Sequence, residues 1–483
     1  MKPYRAWTPT QSYLFPPSPS DWLPENHVAW FILDVVEQLD IAAIETVIQK
    51  KDPRGVRPLN PRMLLAVLFY AYAHGMYSSR KIERACWEDV AFRVLSGNTQ
   101  PDHSCIADFR RVHIAAFDAL FVQVLQLCAR AGLCKLGHVS LDGTKILASA
   151  SKHKAMSYQR MHEEQARLRR EVEVLTGKAE AADADEDRRI GKGVSEDDLP
   201  KELVRREKRL ERIAQLQKSL EEEAAQARAD ELRDNAEALE KKAQSHDDPT
   251  EVKRLYTRAG KSRAQADELA PERKDDDEGM PHHSVPTEPD GKPKPKAQRN
   301  FTDSDSRIMT SKGAFVQGYN AQVAVDGQVI VAQGVSNQAP DSEHMVPMVT
   351  RIGQNLGRFP EAILADTGYF CGENVDGCIE RGVTPYIATG RQRHADGEMS
   401  QAMPANAKLR ANMNERLSTP AGRALYRRRK TEVEPVFGQI KSARGFRTFS
   451  MRGKQKVRGE WALVCLIHNL LKLFGASESP AMA

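Results

Sequence analysis

Two aspartates sit where chemistry is most easily positioned. Asp142 follows the apolar run His138–Leu141, and Asp366 follows Ala-Ile-Leu-Ala at 362–365; small or turn-forming residues come next, Gly143-Thr144 and Thr367-Gly368. A carboxylate at the C-terminal tip of a buried strand is rigidly held and faces the crevice where open α/β sheets bind ligands. Either aspartate taken alone reads more readily as a turn former or a helix cap than as a ligand. With one more carboxylate from a helix, the pair would make a hard oxygen site suited to magnesium. Clustered carboxylates repel one another and make sense mainly around a cation. Two such ions can activate an attacking oxygen and stabilise a leaving one in phosphodiester displacement.

The third acid comes from the stretch Tyr426–Lys441, in which Val433, Phe437 and Ile440 mark an inward helix face. Glu434 and Lys441 are two turns apart on one stripe, with Arg427 and Lys430 on its N-terminal side. Such an acid could hold metal while the bases grip adjacent phosphates; a salt-bridged structural helix would have the same pattern. Glu432 is an alternative acid that points away from Lys441.

The charge around these residues is local rather than global. The 483-residue chain has a formal net charge of only +5. Between Arg423 and Arg458, however, there are twelve Lys/Arg and two acids, Glu432 and Glu434. That density suits a phosphate backbone, whose neutralisation releases counterions, though a solvated basic helix has the same composition. Seven cysteines without a CxxC pair exclude a zinc knuckle and point to a reducing compartment. The N-terminus lacks the apolar stretch of a signal peptide, and the longest apolar run, Met63–Ala73, is too short to cross a bilayer. A soluble, intracellular protein is expected.

The elements that must hold the site divide the chain unevenly. Residues 1–26 are Pro- and Ser-rich and read as irregular. Residues 27–135 read as helical, with Pro61 opening one helix, Ser78 and Ser79 capping another over 80–95, and Asp102 a third. Exposed bases there (Arg80, Lys81, Arg84, Arg110, Arg111) fit a helix-turn-helix-like DNA reader, and equally any small helical bundle. Residues 156–270 form a helical arm. Leu203, Leu210, Ile213 and Leu220 fall on heptad positions, Leu232 and Leu239 continue the beat, and Gln217 weakens the seam. Residues 271–300 read as a flexible linker, in which the pair His282-His283 carries no metal site. Strands resume after Phe301. A hairpin turns at Asp326-Gly327, Asp341 caps a helix to about Leu356, strands cover 361–365 and 383–387, and a helix covers 371–381. An apolar helix, 460–474, precedes the tail 475–483. The fold class is α/β: a mixed sheet in 136–155 and 301–474, interrupted by an arm and preceded by helices.

Several segments carry a family resemblance. LLAVLFYAYAHGMYSSRKIE and DHSCIADFRR lie in the N-terminal helices; LDGTK contains Asp142, LADTGY contains Asp366, and VEPVFGQIK contains Glu434 and Lys441. With RNFTDSDSRIM and GYNAQVAVD, in this order, they resemble bacterial insertion-sequence DDE transposases, closest to the IS1182 group of the IS4/IS5-like superfamily. The resemblance spans about residues 30–474 and implies an RNase H-like catalytic domain. It assigns Asp142, Asp366 and Glu434 as catalytic and metal-binding residues around two Mg²⁺, with Mn²⁺ able to substitute. Lys441, Lys430 and Arg427 would position phosphates. Related IS4-type enzymes place tyrosine seven and arginine four residues before the glutamate. Here Arg427 and Lys430 hold those places, while Tyr426 and Arg429 lie one residue earlier.

A DNA transposase is therefore expected, acting on terminal inverted repeats and target double-stranded DNA as a homodimer, in the cytoplasm at the nucleoid, without a membrane. Arg444, Arg447, Arg452, Lys454, Lys456 and Arg458 would extend its DNA track. The rivals are a nuclease without strand transfer, a catalytically inactive DNA-binding regulator, and a coiled-coil scaffold.

Overall fold

The computed structural model describes residues 21–50, 57–190, 201–272, 279–311, 313–390 and 407–478. The chain begins with short helices: α1 (Val28–Gln38), α2 (Ala42–Gln49), α3 (Pro61–Ala73), α4 (Ser79–Glu88), α5 (Val90–Leu95), α6 (His103–Val112) and α7 (Ala116–Arg130). Asn60 caps α3 with Pro61 in its first turn, and Asp102 caps α6 through the N–H groups of Ser104 and Cys105, as expected. The helix expected over 80–95 is instead broken. Asp89 accepts from the N–H groups of Ala91 and Phe92 and starts α5 on a new axis.

Strand β1 (Val139–Leu147) is followed by the short β2 (Ala155–Ser157) and the arm: α8 (Tyr158–Ile190), α9 (Lys201–Gln244) and α10 (Pro249–Leu269). The seam of α9 is Ile213, Leu216, Leu220, Ala224, Ala229, Leu232 and Ala236, all buried. Gln217 lies beside that seam and donates to Glu221. Met280, Val285 and Ala297 are also buried, and β3 (Gln298–Asn300) pairs with β2. Residues 279–300 are thus an ordered strap against the arm and the sheet, not a flexible linker; its scattered apolar residues find partners that composition alone does not reveal.

The chain then runs through β4 (Arg307–Ser311), β5 (Ala314–Asp326), β6 (Val329–Ser336), α11 (Met345–Leu356), β7 (Ala362–Ala365), α12 (Gly372–Glu380), β8 (Thr384–Ile387), α13 (Ala407–Ser418), α14 (Pro420–Gly438) and α15 (Lys454–Ser477). The main sheet among the described residues has the order β4-β5-β1-β7-β8, with β6 also paired to β5. β5 is antiparallel to β1 and β6, while β1, β7 and β8 are mutually parallel. The β5–β6 turn uses Gly327 and Gln328, both at positive φ, one position later than expected. Asp326 instead accepts from the N–H groups of Lys135 and Leu136.

One apolar core runs from Ala29 to Leu470 and joins the N-terminal helices to the sheet. Trp461 of α15 is fully buried and donates its indole N–H to Gln322 O of β5. On the other side of the join, Glu460 accepts from Ser450 N and Met451 N, and Tyr72 of α3 donates to it. Arg110 in turn donates to the hydroxyl of Tyr72 and to Tyr77 O. The helical region and the sheet are therefore one packed body at this join.

Candidate active site

β1 continues well past Asp142, which is not at a strand tip. Residues Ser140–Leu147 pair with Gly318–Val325 of β5, but the parallel pairing with β7 ends at Ser140–Leu364. Asp142 thus stands where its parallel neighbour stops, and Asp366 leaves the end of that neighbour, next to it. Asp366 accepts from Gly368 N, closing the turn Thr367–Tyr369.

By strand alternation Ser140, Asp142 and Thr144 share one face of β1, and α14 packs on it. Arg429 Nη1 lies 3.1 Å from Asp142 Oδ2, with side chains 13% and 22% exposed. Tyr426 donates to Ala365 O at the end of β7. Glu432 accepts from Ser140 Oγ at 2.8 Å, and its other oxygen lies 2.8 Å from His138 Nε2. Lys441 donates to Thr144 Oγ1 and Lys145 O. It does so from a π-helical turn, Gln439–Ala443, that follows α14. Pro435 is accommodated inside α14 without an N–H, and the carbonyl it leaves free, Thr431 O, accepts from the Gln328 side chain.

The electrostatics of Asp142 are those of a crowded, desolvated carboxylate. Burial pushes its pKa up to about 6; Arg429 opposes the shift, and Asp366 and Asp341 add to it. Burial works against the charge of Arg429, but Asp142, Tyr426 and Asp366 outweigh it and raise its pKa. Asp341, expected to cap α11, does not. α11 begins at Met345, and Asp341 Oδ1 accepts from Asn320, Gln322 and Lys145.

Of the acids expected at the site, Asp142 and Asp366 are brought together and Glu434 is exposed on α14. Among the described residues no group of three or more His, Cys, Asp or Glu is arranged to hold a metal ion. The donor chemistry of the aspartate pair fits a hard divalent cation, since two close carboxylates are offset by a single guanidinium. Sequence reasoning missed that Glu432, not Glu434, is the acid of α14 that touches β1. It also missed Asp341 as a site residue, because its local pattern marks it as a helix cap and its partners Asn320, Gln322 and Lys145 are distant.

The basic residues divide sharply. Arg427, Arg428, Lys430, Arg447, Arg452 and Lys456 are exposed around α14 and the start of α15, as are Arg80 and Lys81 on α4. Arg84 pairs with Glu88, and Arg111 with Asp108, both on the surface. Arg458 pairs with Asp118, and Lys454 approaches His282. Arg110 is buried, and Arg444 is turned inward onto His468. These two hold the interior and do not present charge to a partner.

No single helix among the described residues is long and apolar enough to cross a membrane. All seven cysteines are free. No curated protein and no solved structure matches the chain. Residues 390–474 match the model of a family described as a transposase DDE domain, and residues 17–112 match one described as a transposase domain. The first match contains α14, Glu434 and the exposed basic track, and the second contains α1–α6. Two segments similar to transposase domains, one from each end of a shared core, indicate a transposase of the DDE type.

Proposed function

We propose that the chain is a cut-and-join DNA transposase of the IS1182 group, with an RNase H-like catalytic domain. The observation that carries the reading is the juxtaposition of Asp142, just past the last β1–β7 pair, with Asp366, just past the end of β7, beneath a helix with exposed arginines. The strand arrangement, with an antiparallel β5–β6 hairpin beside parallel β1, β7 and β8, supports the fold assignment.

Asp142 and Asp366 would hold divalent cations, Mg²⁺ with Mn²⁺ as substitute, and Glu434 is the third carboxylate of the proposal. Bound there, the cations supply Lewis acidity to the attacking and leaving oxygens of a phosphodiester. Arg429 keeps Asp142 oriented and tempers the negative charge. Arg427 and Lys430 lie on the exposed side of α14 and meet DNA phosphates, as do Arg447 and Lys456 beyond it. Lys441 fixes the π-helical turn to β1 rather than facing a phosphate. Water attacks the element-end phosphodiester, leaving a 3′-OH and a 5′-phosphate. That 3′-OH then attacks a target phosphodiester and displaces a target 3′-OH, so the number of phosphodiester bonds is conserved in the joining step. Two ends handled together call for at least a dimer on DNA, and the arm is the element available to contact the second copy.

The test is Asp142→Asn assayed on DNA from the borders of the gene with Mg²⁺ or Mn²⁺. Cleavage should be abolished while DNA binding persists; unchanged cleavage removes Asp142 from the mechanism. Pre-cut ends separate the rival activity: hydrolysis without joined product identifies a nuclease.

A further inference from the structure

We propose that Asp341 is a positioning residue of this site, locking the turn that carries Asp366 to the strand that carries Asp142; the functional part of this inference rests on the transposase reading. Asp341 joins two strands directly and the Asp366 turn through one of them. Its Oδ1 accepts from Lys145 Nζ of β1 at 3.2 Å, and from Asn320 Nδ2 and Gln322 Nε2 of β5 at 2.7 and 2.8 Å. The Gln322 amide is thereby oriented, and its oxygen accepts from the hydroxyl of Tyr369. Tyr369 is fully buried three residues beyond Asp366.

A second line runs through the neighbouring residue. Asn374 Nδ2 donates both to Ser342 O and to Tyr369 O, so the backbone following Asp341 is tied to the same turn. The site is shaped for this approach at Gly143. A Cβ there would lie 2.9 Å from Asp341 Oδ1 and would meet the Gln322 amide. Any side chain at 143 would force the network away from β1.

Two motifs thereby acquire a role. GYNAQ supplies Asn320 and Gln322, the donors that aim Asp341, and LDGTK supplies Lys145 together with Gly143. The consequence is geometric. Asp142 is fixed by the pairing of β1 with β5, but Asp366 lies beyond the last residue of β7, where ladder hydrogen bonds end. The Asp341–Gln322–Tyr369 chain replaces that missing support from the opposite face of the sheet.

The experiment uses full-length protein and reads the turn directly, by hydrogen–deuterium exchange of the backbone amides in Thr367–Val375. Asp341→Ala should raise exchange there by about tenfold or more while leaving α15 unaffected, because local opening needs only the local contacts. Asp341→Asn, which keeps an acceptor oxygen, should restore exchange to within about threefold of the parent. Tyr369→Phe should loosen the same segment, and combining it with Asp341→Ala should add little, since the two act through one chain. Unchanged exchange in Asp341→Ala and Tyr369→Phe, or exchange raised throughout the protein, overturns the assignment. Mn²⁺ titration of the same proteins, read by electron paramagnetic resonance, is the separate functional arm. Loosened variants should bind Mn²⁺ about tenfold more weakly, the lower range for loss of a group that supports a metal ligand. A parent protein that binds no Mn²⁺, with the exchange results intact, would sink the transposase site and leave the positioning role standing.

Discussion

Two glutamates separated by one residue on α14 should fail in opposite ways. Glu432 is 13% exposed at its side chain and is held by Ser140, which is fully buried, and by His138. Glu432→Gln retains one acceptor oxygen and turns an NH₂ toward the other partner, so one charge-assisted hydrogen bond is lost. Such bonds contribute about 1.5–3 kcal/mol. With a urea m-value of roughly 2–3 kcal/mol/M, the midpoint should fall by about 0.5–1.5 M. Glu434 is exposed, and Glu434→Gln should change stability by less than about 0.5 kcal/mol. Its effect should be on chemistry: a drop in metal-dependent cleavage of border DNA by at least about a hundredfold, the scale for removing a group that stabilises transition-state charge. Urea unfolding and single-turnover cleavage on both variants decide the matter. A Glu432→Gln protein as stable as its parent would refute the clamp, and a fully active Glu434→Gln protein would remove the third carboxylate.

Titration gives a second test. Because burial raises the Asp142 pKa to about 6, its contribution to stability is present below about pH 4 and lost as pH rises through 6. Asp142→Asn should therefore gain up to about 3 kcal/mol over the parent above pH 6 and little at pH 4; a gain constant with pH would contradict the assignment. Burial holds His283 and His344 down to about 4 and His468 to about 3, so their stabilisation is complete above about 6.5 and disappears toward those values, predicting acid unfolding. Replacing Arg427, Lys430, Arg447 or Lys456 by Ala should each lower the salt slope of DNA affinity by about 1. Arg110→Ala should instead destabilise the protein by about 3 kcal/mol or more, since it strips the counter-charge from buried Glu460; a stable variant with weak DNA binding would reverse that division.

Local patterns made the aspartate pair legible. Each follows a short apolar run, and the runs become the parallel neighbours β1 and β7. The hairpin, the capped helices α3 and α6 and the apolar helix α15 were equally visible, because their signals lie within a few residues. What escaped depends on distant partners. β1 extends to Leu147 only because residues Gly318–Gln322 lie alongside its polar second half. The phase of α14 could be counted, yet which acid faces inward is set by Ser140 and His138, nearly three hundred positions away. Asp341 resembles a helix cap until Asn320, Gln322 and Lys145 claim its oxygen. The strap at 279–300 fails every compositional test for order and is held by single buried residues.

The shared interior of α1–α7, α15 and the sheet has a consequence for how DNA would be measured. Since the N-terminal helices, expected from the sequence as a DNA reader, share one core with the part proposed to cut, the molecule would act as a caliper of fixed opening. The number of base pairs between recognised sequence and severed bond would be dictated by the protein's own dimensions. Inserting half a turn of duplex, about 5 base pairs, would rotate the scissile bond to the far side of the helix.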